Sequence, residues 1–371
     1  MRIFRVKVHD WIRNIVMALD YILYLLLNPF KFKSFPKNVK KILIVELLAI
    51  GDLLVITPAL RALKNKFPEA TIDLLVAPRM KEVLKGNRNI NEIIPYEGNK
   101  SVVSRLKRKE YDLGIIFHNG SLNVSRLLLK TKVKYRVGCT PDVGITYGKG
   151  FFLNRKVEPN FTWQHKIDDN LLVVKSLGAE ITDRKMEVHA TTKAKENVKK
   201  VLKKKKVKKS DYLVIIHPGS QYTTQQWYPE KFAEVADAII KKYKAKVVFT
   251  GATDQKQQVK DIQKRMKHKS IDLTGKTTLQ EYIAIVEQAD LIVSIDTSII
   301  HIASALNKPI VTVFGPTLPE RWGPTSKKSI AVQNRNVCTG CRRYQCIINT
   351  HECMKSISTD QVITAISTLK K

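Results

Sequence analysis

Residues 289–317 read ADLIVSIDTSIIHIASALNKPIVTVFGPT, and this stretch decides the fold. An apolar run, Leu291–Ile295, stops at Asp296-Thr297-Ser298. A short apolar helix follows, then a second apolar run, Ile310–Phe314, closed by Gly315. Strand, loop, helix and strand in quick succession is the repeat of a parallel α/β sheet. Asp, Thr and Ser open helices and leave the first backbone N–H groups free. Those amides and the helix dipole together can seat a phosphate or diphosphate. His301, four residues after Thr297, stands one turn along on the same face and can reach the same ligand. An ordinary capped helix with a surface histidine would read identically, so the rest of the chain has to decide.

Working outward, the same alternation runs from Lys41 to the C-terminus. Strands are expected at Ile42–Glu46, Ile72–Val76, Leu113–Phe117 and Tyr135–Gly138, with helices at Pro58–Phe67 and Lys166–Leu177. Thr57-Pro58 reads as a cap with proline at the first helical position. A second set has strands at Leu213–His217, Lys246–Thr250, Ile271–Leu273, Leu291–Ile295 and Ile310–Phe314. Its helices are expected at Glu230–Tyr243, Asp254–Lys267, Leu279–Gln288, Ser298–Leu306 and, closing the chain, Thr359–Leu369. Two Rossmann-like halves in tandem leave a cleft, and such sheets bind ligands beyond the carboxyl ends of their strands. Between them, Thr191–Lys209 holds ten lysines and one acid without interleaved aromatics, which suits a solvated helix and linker better than a nucleic-acid patch. The domain reading is therefore 1–40, 41–190, a basic linker at 191–209, 210–355 and a closing helix at 356–371.

The 371 residues carry 65 Lys and Arg against 33 Asp and Glu, a net charge of +32, with 44% hydrophobic residues. That composition belongs to a globular protein long enough for two cores. The charge favours anionic partners such as membrane surface, phosphorylated substrates or nucleic acid; with no recognised nucleic-acid module, specific nucleic-acid binding ranks last. Ile15–Leu27 is apolar except for Asp20 but spans only 13 residues, short of the roughly 20 a bilayer needs. Basic flanks and Phe30, Phe32 and Phe35 suit a segment lying in a membrane interface, with docking on its own protein as the plainer alternative. No small-residue cleavage site follows it.

Three loops at strand ends carry candidate chemistry. In Leu47–Asp52, LLAIGD, Gly51 permits a tight turn and Asp52 can serve as a general base, or simply as a helix cap. In His217–Trp227, HPGSQYTTQQW, Gly219, Ser220, Thr223 and Thr224 offer donors suited to phosphate oxygens. The third is the Asp296–His301 helix start. Gly251 and Gly315 close two further strands. Walker A, the dinucleotide glycine fingerprint, paired aspartates one residue apart and HExxH are all absent.

The segments ILIVELLAIGDLLVITPALRALKNKFPEATIDLLV, HPGS with WYPEKFAEVA, DLTGKTTLQEYIAIV and ADLIVSIDTSIIHIASALNKPIVTVFGPT, in this order over residues 40–371, resemble glycosyltransferase family 9, the heptosyltransferases of the lipopolysaccharide inner core. The resemblance implies a GT-B fold: two facing Rossmann-like domains, with acceptor held by the first, nucleotide sugar by the second and a cleft between. It implies inversion at the anomeric carbon with neither metal nor cofactor, ADP-heptose (ADP-L-glycero-D-manno-heptose) as donor, and a lipid A–Kdo acceptor. Carried over by residue, Asp52 is the general base and Gly51 lies on the acceptor side. Thr223 and Thr224 bind phosphate, with Gln225 and Gln255 beside them. Asp296, Thr297, Ser298 and His301 hold diphosphate and sugar, and Gly275 and Lys276 lie near the base of the nucleotide. A peripheral position on the cytoplasmic face of the inner membrane follows, with the basic N-terminal segment on anionic lipid. The chain departs from the family where a lysine commonly precedes the tryptophan by two (here Gln225), where a glutamate often follows the glycine-bearing strand (Gln255), and at Glu46, where arginine is frequent. The glutamines keep hydrogen bonding and lose charge, which favours an altered-donor or non-catalytic relative as the alternative.

Of five cysteines, Cys139 stands apart, and Cys338, Cys341, Cys346 and Cys353 follow C-x2-C-x4-C-x6-C with His351 nearby. That is no secreted disulfide framework and fits a cytosolic chain. The spacing suits a tetrahedral zinc site as well as reduced structural thiols, and no metal is assigned.

Overall fold

The computed structural model describes residues 15, 19, 22, 34–117, 122–139, 152–158, 164–341, 343 and 345–370. The expected N-terminal apolar helix and its membrane role fall almost wholly outside the described residues. Among those described, no helix is long and apolar enough to cross a membrane. The chain divides into two compact units: Met1–Asp52, Pro58–Lys81 and Arg88–Arg184 form one, and Leu53–Thr57, Glu82–Asn87 and Lys185–Lys371 the other.

The first unit holds strands β1 (Lys41–Glu46), β2 (Thr71–Val76), β3 (Glu92–Pro95), β4 (Leu113–Ile116), β5 (Tyr135–Cys139) and β6 (Arg155–Val157). The second holds β7 (Leu213–His217), β8 (Lys246–Phe249), β9 (Ile271–Asp272), β10 (Leu291–Ile295), β11 (Ile310–Val313) and β12 (Ser329–Val332). Helices in chain order are α1 (Ile50–Val55), α2 (Thr57–Lys66), α3 (Lys100–Arg108), α4 (Leu122–Lys130), α5 (Lys166–Lys175), α6 (Thr192–Lys204), α7 (Pro229–Tyr243), α8 (Lys256–Arg265), α9 (Leu279–Gln288), α10 (Ser298–Ala305), α11 (Pro319–Trp322), α12 (Glu352–Lys355) and α13 (Thr359–Lys370).

Each unit carries a six-stranded sheet, ordered β3-β2-β1-β4-β5-β6 in the first and β12-β11-β10-β7-β8-β9 in the second. The described pairings in both are parallel. Counted from its own first strand, each sheet has the same order, reversing between β1 and β4 in one and between β7 and β10 in the other. The reversal leaves a crevice at the carboxyl ends of those strands, where doubly wound sheets bind ligands. The sequence places LLAIGD at the end of β1, HPGS at the end of β7 and DTS at the end of β10.

The central strands are buried along their length, as strands covered by helices on both faces must be. Leu43, Val45, Leu75, Ile116 and Tyr111 lie in the core of the first unit. In the second, Trp227 is fully buried, meets Phe232 edge-on at 5.1 Å, and donates its indole N–H to Ile357 O at 3.3 Å. Helix α6, read from the lysine-rich stretch, buries Ala194, Val198 and Leu202 against α9, and the Thr191 hydroxyl caps it by accepting from Ala194 N. Its lysines stand on the other faces, with Lys195 paired to Glu287 at 2.7 Å. Helix α13 packs on α7 and on β11 and β12.

Local details depart from the sequence expectations. The Thr57 hydroxyl donates to Leu54 O and accepts from Glu187 N. The helix expected from Asp254 opens as a 3-10 turn over Thr253–Gln255 before α8. The short edge strands β3, β6 and β12 carry partly exposed residues and lack the apolar run that marks a central strand.

Candidate active site

Three adjacent strands of the second unit, β7, β10 and β11, deliver polar residues to one edge, and hydrogen bonds join them. Ser220, after β7, donates from Oγ to Gln225 Oε1 at 2.7 Å and accepts from Tyr222 N at 3.1 Å. Gln225, 9% exposed, donates its other amide atom, Nε2, to Asp296 Oδ2 at 3.3 Å. Thr317, after β11, donates its hydroxyl to the same Oδ2 at 2.5 Å. Burial pushes the Asp296 carboxyl up to about 6, and the Thr317 hydrogen bond opposes that rise. Of the residues singled out in the sequence, Gln225 and Asp296 are thus in direct contact. Thr317 emerges only in three dimensions; its signal was the GPT that ends β11.

Thr297 is the N-cap residue of α10 in extended conformation, and its own side chain makes no capping hydrogen bond. The helix therefore begins with the amide end that an anion can use. His301 is buried on α10, edge-on to Trp322 at 6.2 Å. Thr223 is exposed in the 3-10 turn after Tyr222, whereas Thr224 is buried; its hydroxyl donates to Arg343 O at 2.7 Å. His351 Nε2 lies 2.8 Å from Thr224 O, so the loop is pinned at Thr224 by the cysteine-bearing segment.

Gln255 folds back to cap Ala252 N at 2.9 Å, and its side chain lies across the backbone of Gly219 and Gly251. A Cβ at Gly219 would come within 2.1 Å of Gln255 Cδ, so this glycine makes room for the glutamine. Gly275 sits beyond β9 at φ +64, and its Cβ position would be filled by Lys256 and Thr253. Lys276 turns back to Asp272 Oδ2 at 3.1 Å; against the carboxyl's burial, hydrogen bonds from Thr274 first and then Lys276 hold it below the usual carboxylate range.

Behind the HPGS loop lies a buried polar triangle absent from the sequence reading. His217 Nδ1 is 3.0 Å from the Tyr282 hydroxyl and 3.2 Å from Thr250 Oγ1. Burial pushes His217 down to about 4 and Tyr282 upward, so at neutral pH the imidazole is neutral and the phenol keeps its proton. The three groups are thus joined by hydrogen bonds between uncharged partners. The HPGS loop is thereby held on the loop after β8 and on α9.

In the first unit, Gly51 and Asp52 open α1 at the carboxyl end of β1, Gly51 buried and Asp52 half-buried. The loop before them is held from both sides: Glu46 Oε1 accepts from Leu48 N at 3.0 Å, and Arg79 donates to Leu48 O at 2.8 Å. Among the described residues, no group of three or more His, Cys, Asp or Glu is arranged to hold a metal ion.

Residues 100–351 match the family model for glycosyltransferase family 9 (heptosyltransferase), well over half the chain. The chain belongs to glycosyltransferase family 9. It is a glycosyltransferase of the lipopolysaccharide heptosyltransferase family with a GT-B fold. Lipopolysaccharide heptosyltransferase 3 of Escherichia coli K12 is 27% identical over 302 residues, covering 76% of this chain and 84% of the relative. The crystal structure of a family 9 glycosyltransferase from Veillonella parvula superposes with a TM-score of 0.78 at 23% identity, over 91% of this chain and 99% of that one. The ADP-heptose LPS heptosyltransferase II of E. coli superposes with a TM-score of 0.73 at 19% identity, over 89% and 98%. These structural likenesses speak for the fold. In this chain an amide, Gln225, stands against Asp296.

Proposed function

We propose that the protein transfers heptose, or a related sugar, from ADP-heptose to a lipid A–Kdo type acceptor of the lipopolysaccharide inner core, with inversion and without a metal. The observation that carries the donor half is the joined set Ser220–Gln225–Asp296–Thr317 at the switch point of a Rossmann-like unit. Beside it, the amide end of α10 offers dipole and N–H groups to a leaving diphosphate, and neutral donors fixed in advance stabilise charge as it develops. Family membership and the donor named for the E. coli heptosyltransferase II support ADP-heptose.

In this reading Asp52 takes the proton from the attacking acceptor hydroxyl. The acceptor is lipid-linked, and the basic N-terminal segment with the overall charge of +32 attaches the protein peripherally to the cytoplasmic face of an anionic inner membrane. Calorimetric titration with ADP, ADP-heptose, UDP and GDP, without metal, tests the donor. Selective binding of the two adenine compounds supports it, and preference for another nucleotide moves the donor. Asp52→Asn is expected to lower transfer by at least about 100-fold while leaving ADP affinity unchanged. Wild-type turnover in that variant would remove the base assignment.

Gln225 favours one second reading, a family member that binds a nucleotide sugar or glycolipid without transfer. Turnover with any donor excludes it.

A further inference from the structure

Residues 341–353 read CRRYQCIINTHEC. Cys346 to Asn349 form a tight turn, Asn349 N donating to Cys346 O at 3.4 Å, with Ile347 and Ile348 at its two central positions. Such positions ordinarily take Pro, Gly, Asn, Asp or Ser, whereas β-branched apolar residues favour strands. The two isoleucines are 66% and 53% exposed, and Ile347 is the most exposed large apolar side chain among the described residues. A turn that departs from its usual residues to hold two large apolar groups in water is suited to meet an apolar partner.

The tip stands on a fixed base. Arg343 O accepts the Thr224 hydroxyl at 2.7 Å and His351 Nε2 lies 2.8 Å from Thr224 O, so both ends of the loop close on one residue. Ahead of it Gly340 N donates to Gly315 O, and behind it α12 places buried Met354 against Gly315. The turn therefore projects from the loop after β7, at the carboxyl edge of the sheet, where the candidate donor site lies. Tyr222, two residues before Thr224 on that loop, is itself 40% exposed. Exposed Arg343 and Lys355 flank the turn along the chain, and Glu352 is the only acid between them.

We propose that the Ile347–Ile348 turn seats the second unit on an anionic lipid bilayer. The two side chains enter the boundary between headgroups and acyl chains, and Arg343 and Lys355 meet the lipid phosphates. An apolar tip with cations beside it is the pattern of an interfacial anchor. A lipid surface fits the tip better than a protein does, because a stable protein interface covers about 800 Å² on each side. Two side chains on a convex turn do not provide that area, whereas a bilayer accepts a single point of entry. Seating here turns the carboxyl edge of the second unit towards the surface that would hold a lipid-linked acceptor. The choice of lipid rests in part on that proposed acceptor; the exposed tip does not.

The test uses the full chain with vesicles of phosphatidylcholine, alone or mixed in equal parts with phosphatidylglycerol, and reads co-sedimentation and hydrogen exchange. The protein is expected to sediment with the anionic vesicles, and the amides of residues 345–350 to exchange about tenfold more slowly when bound. Ile347→Ser combined with Ile348→Ser should lower partitioning about tenfold and leave ADP affinity without lipid unchanged. Arg343→Gln should weaken partitioning about fivefold at low salt, and less as salt is added. Full partitioning of the serine variant, or bound protein with no slowing at residues 345–350, would overturn the proposal; the second result would leave the basic N-terminal segment as the anchor. So would slowing of the same amides in concentrated protein without lipid, which would make the tip a contact between copies of the chain. If vesicle-bound protein transfers no sugar to a lipid-linked acceptor, the proposed function fails, while sedimentation and exchange still decide the loop.

Discussion

Thr317→Val removes a single hydroxyl from Asp296, and its effect should depend on pH with a definite sign. The Asp296 carboxyl titrates near 3.8 when unfolded and about 6 when folded, because it is buried. An acid with a raised folded pKa holds its proton more tightly in the native state. Its stabilising effect is complete below the unfolded value and is lost as pH rises through the folded one, at a cost of about 3 kcal/mol. The Thr317 hydroxyl, 2.5 Å from Oδ2, limits that cost by donating to the carboxylate. A hydrogen bond to a charged group contributes about 1.5–3 kcal/mol, so its loss raises the folded pKa by about one to two further units. Urea unfolding of wild type and variant at pH 5, 6, 7 and 8 reads this directly. Near pH 5 the carboxyl is largely protonated in both and the difference is small. It should widen above pH 6 and reach about 1.5–3 kcal/mol by pH 8. A difference that stays constant with pH, or narrows as pH rises, would refute the account of Asp296.

Gly219→Ala should drive the Gln255 side chain from its slot, since the new Cβ would stand 2.1 Å from Cδ. The Ala252 amide then loses its cap, stability falls by about 1 kcal/mol, and calorimetry should show ADP affinity reduced about tenfold; unchanged affinity would mean that Gln255 does not shape the site. Gln225→Lys places an ammonium beside Asp296 and should lower that carboxyl's pKa and strengthen ADP binding about tenfold at low salt, an effect that fades with added salt. Equal affinity at both ionic strengths would speak against a diphosphate beside position 225. Tyr282→Phe leaves His217 Nδ1 without its phenol and should cost about 1–2 kcal/mol. Since His217 titrates near 4, that loss should be flat from pH 6 to 8 in urea unfolding.

The central strands were legible because each is a continuous apolar run buried on both faces, as Leu213–His217 and Leu291–Ile295 show. The edge strands β3, β6 and β12 were not, because half-exposed residues such as Ser329–Val332 carry no such run. The loops at the strand ends were legible as places, through HPGS, DTS and LLAIGD. Their side-chain partners were not. Nothing in the spacing of Thr224 announces that Arg343 and His351, more than a hundred residues on, will hold it. Gly251 read as the close of a strand, and in the structure it also makes room for Gln255. Nor did the sequence show that Tyr282, on a helix face, would complete a buried triangle with His217, because a tyrosine at helical spacing reads as ordinary core.

The two sheets share one strand order, yet their switch points are finished differently, and the difference fits the proposed division of labour. After β7, polar side chains close on one another: Ser220 on Gln225, Gln225 on Asp296, Thr317 on Asp296. Fixed donors of that kind cost little reorganisation when a compact anion arrives, which is what a leaving diphosphate requires. After β1, Glu46 and Arg79 take the Leu48 amide and carbonyl, fixing the backbone while the Leu48 side chain remains 49% exposed. An exposed apolar residue four positions before Asp52 suits an acceptor that is large and partly apolar better than it suits a nucleotide. On this argument, polar substitutions at Leu48 should raise the KM for a lipid-linked acceptor and leave ADP affinity unchanged, because the contacts they alter belong to the acceptor alone.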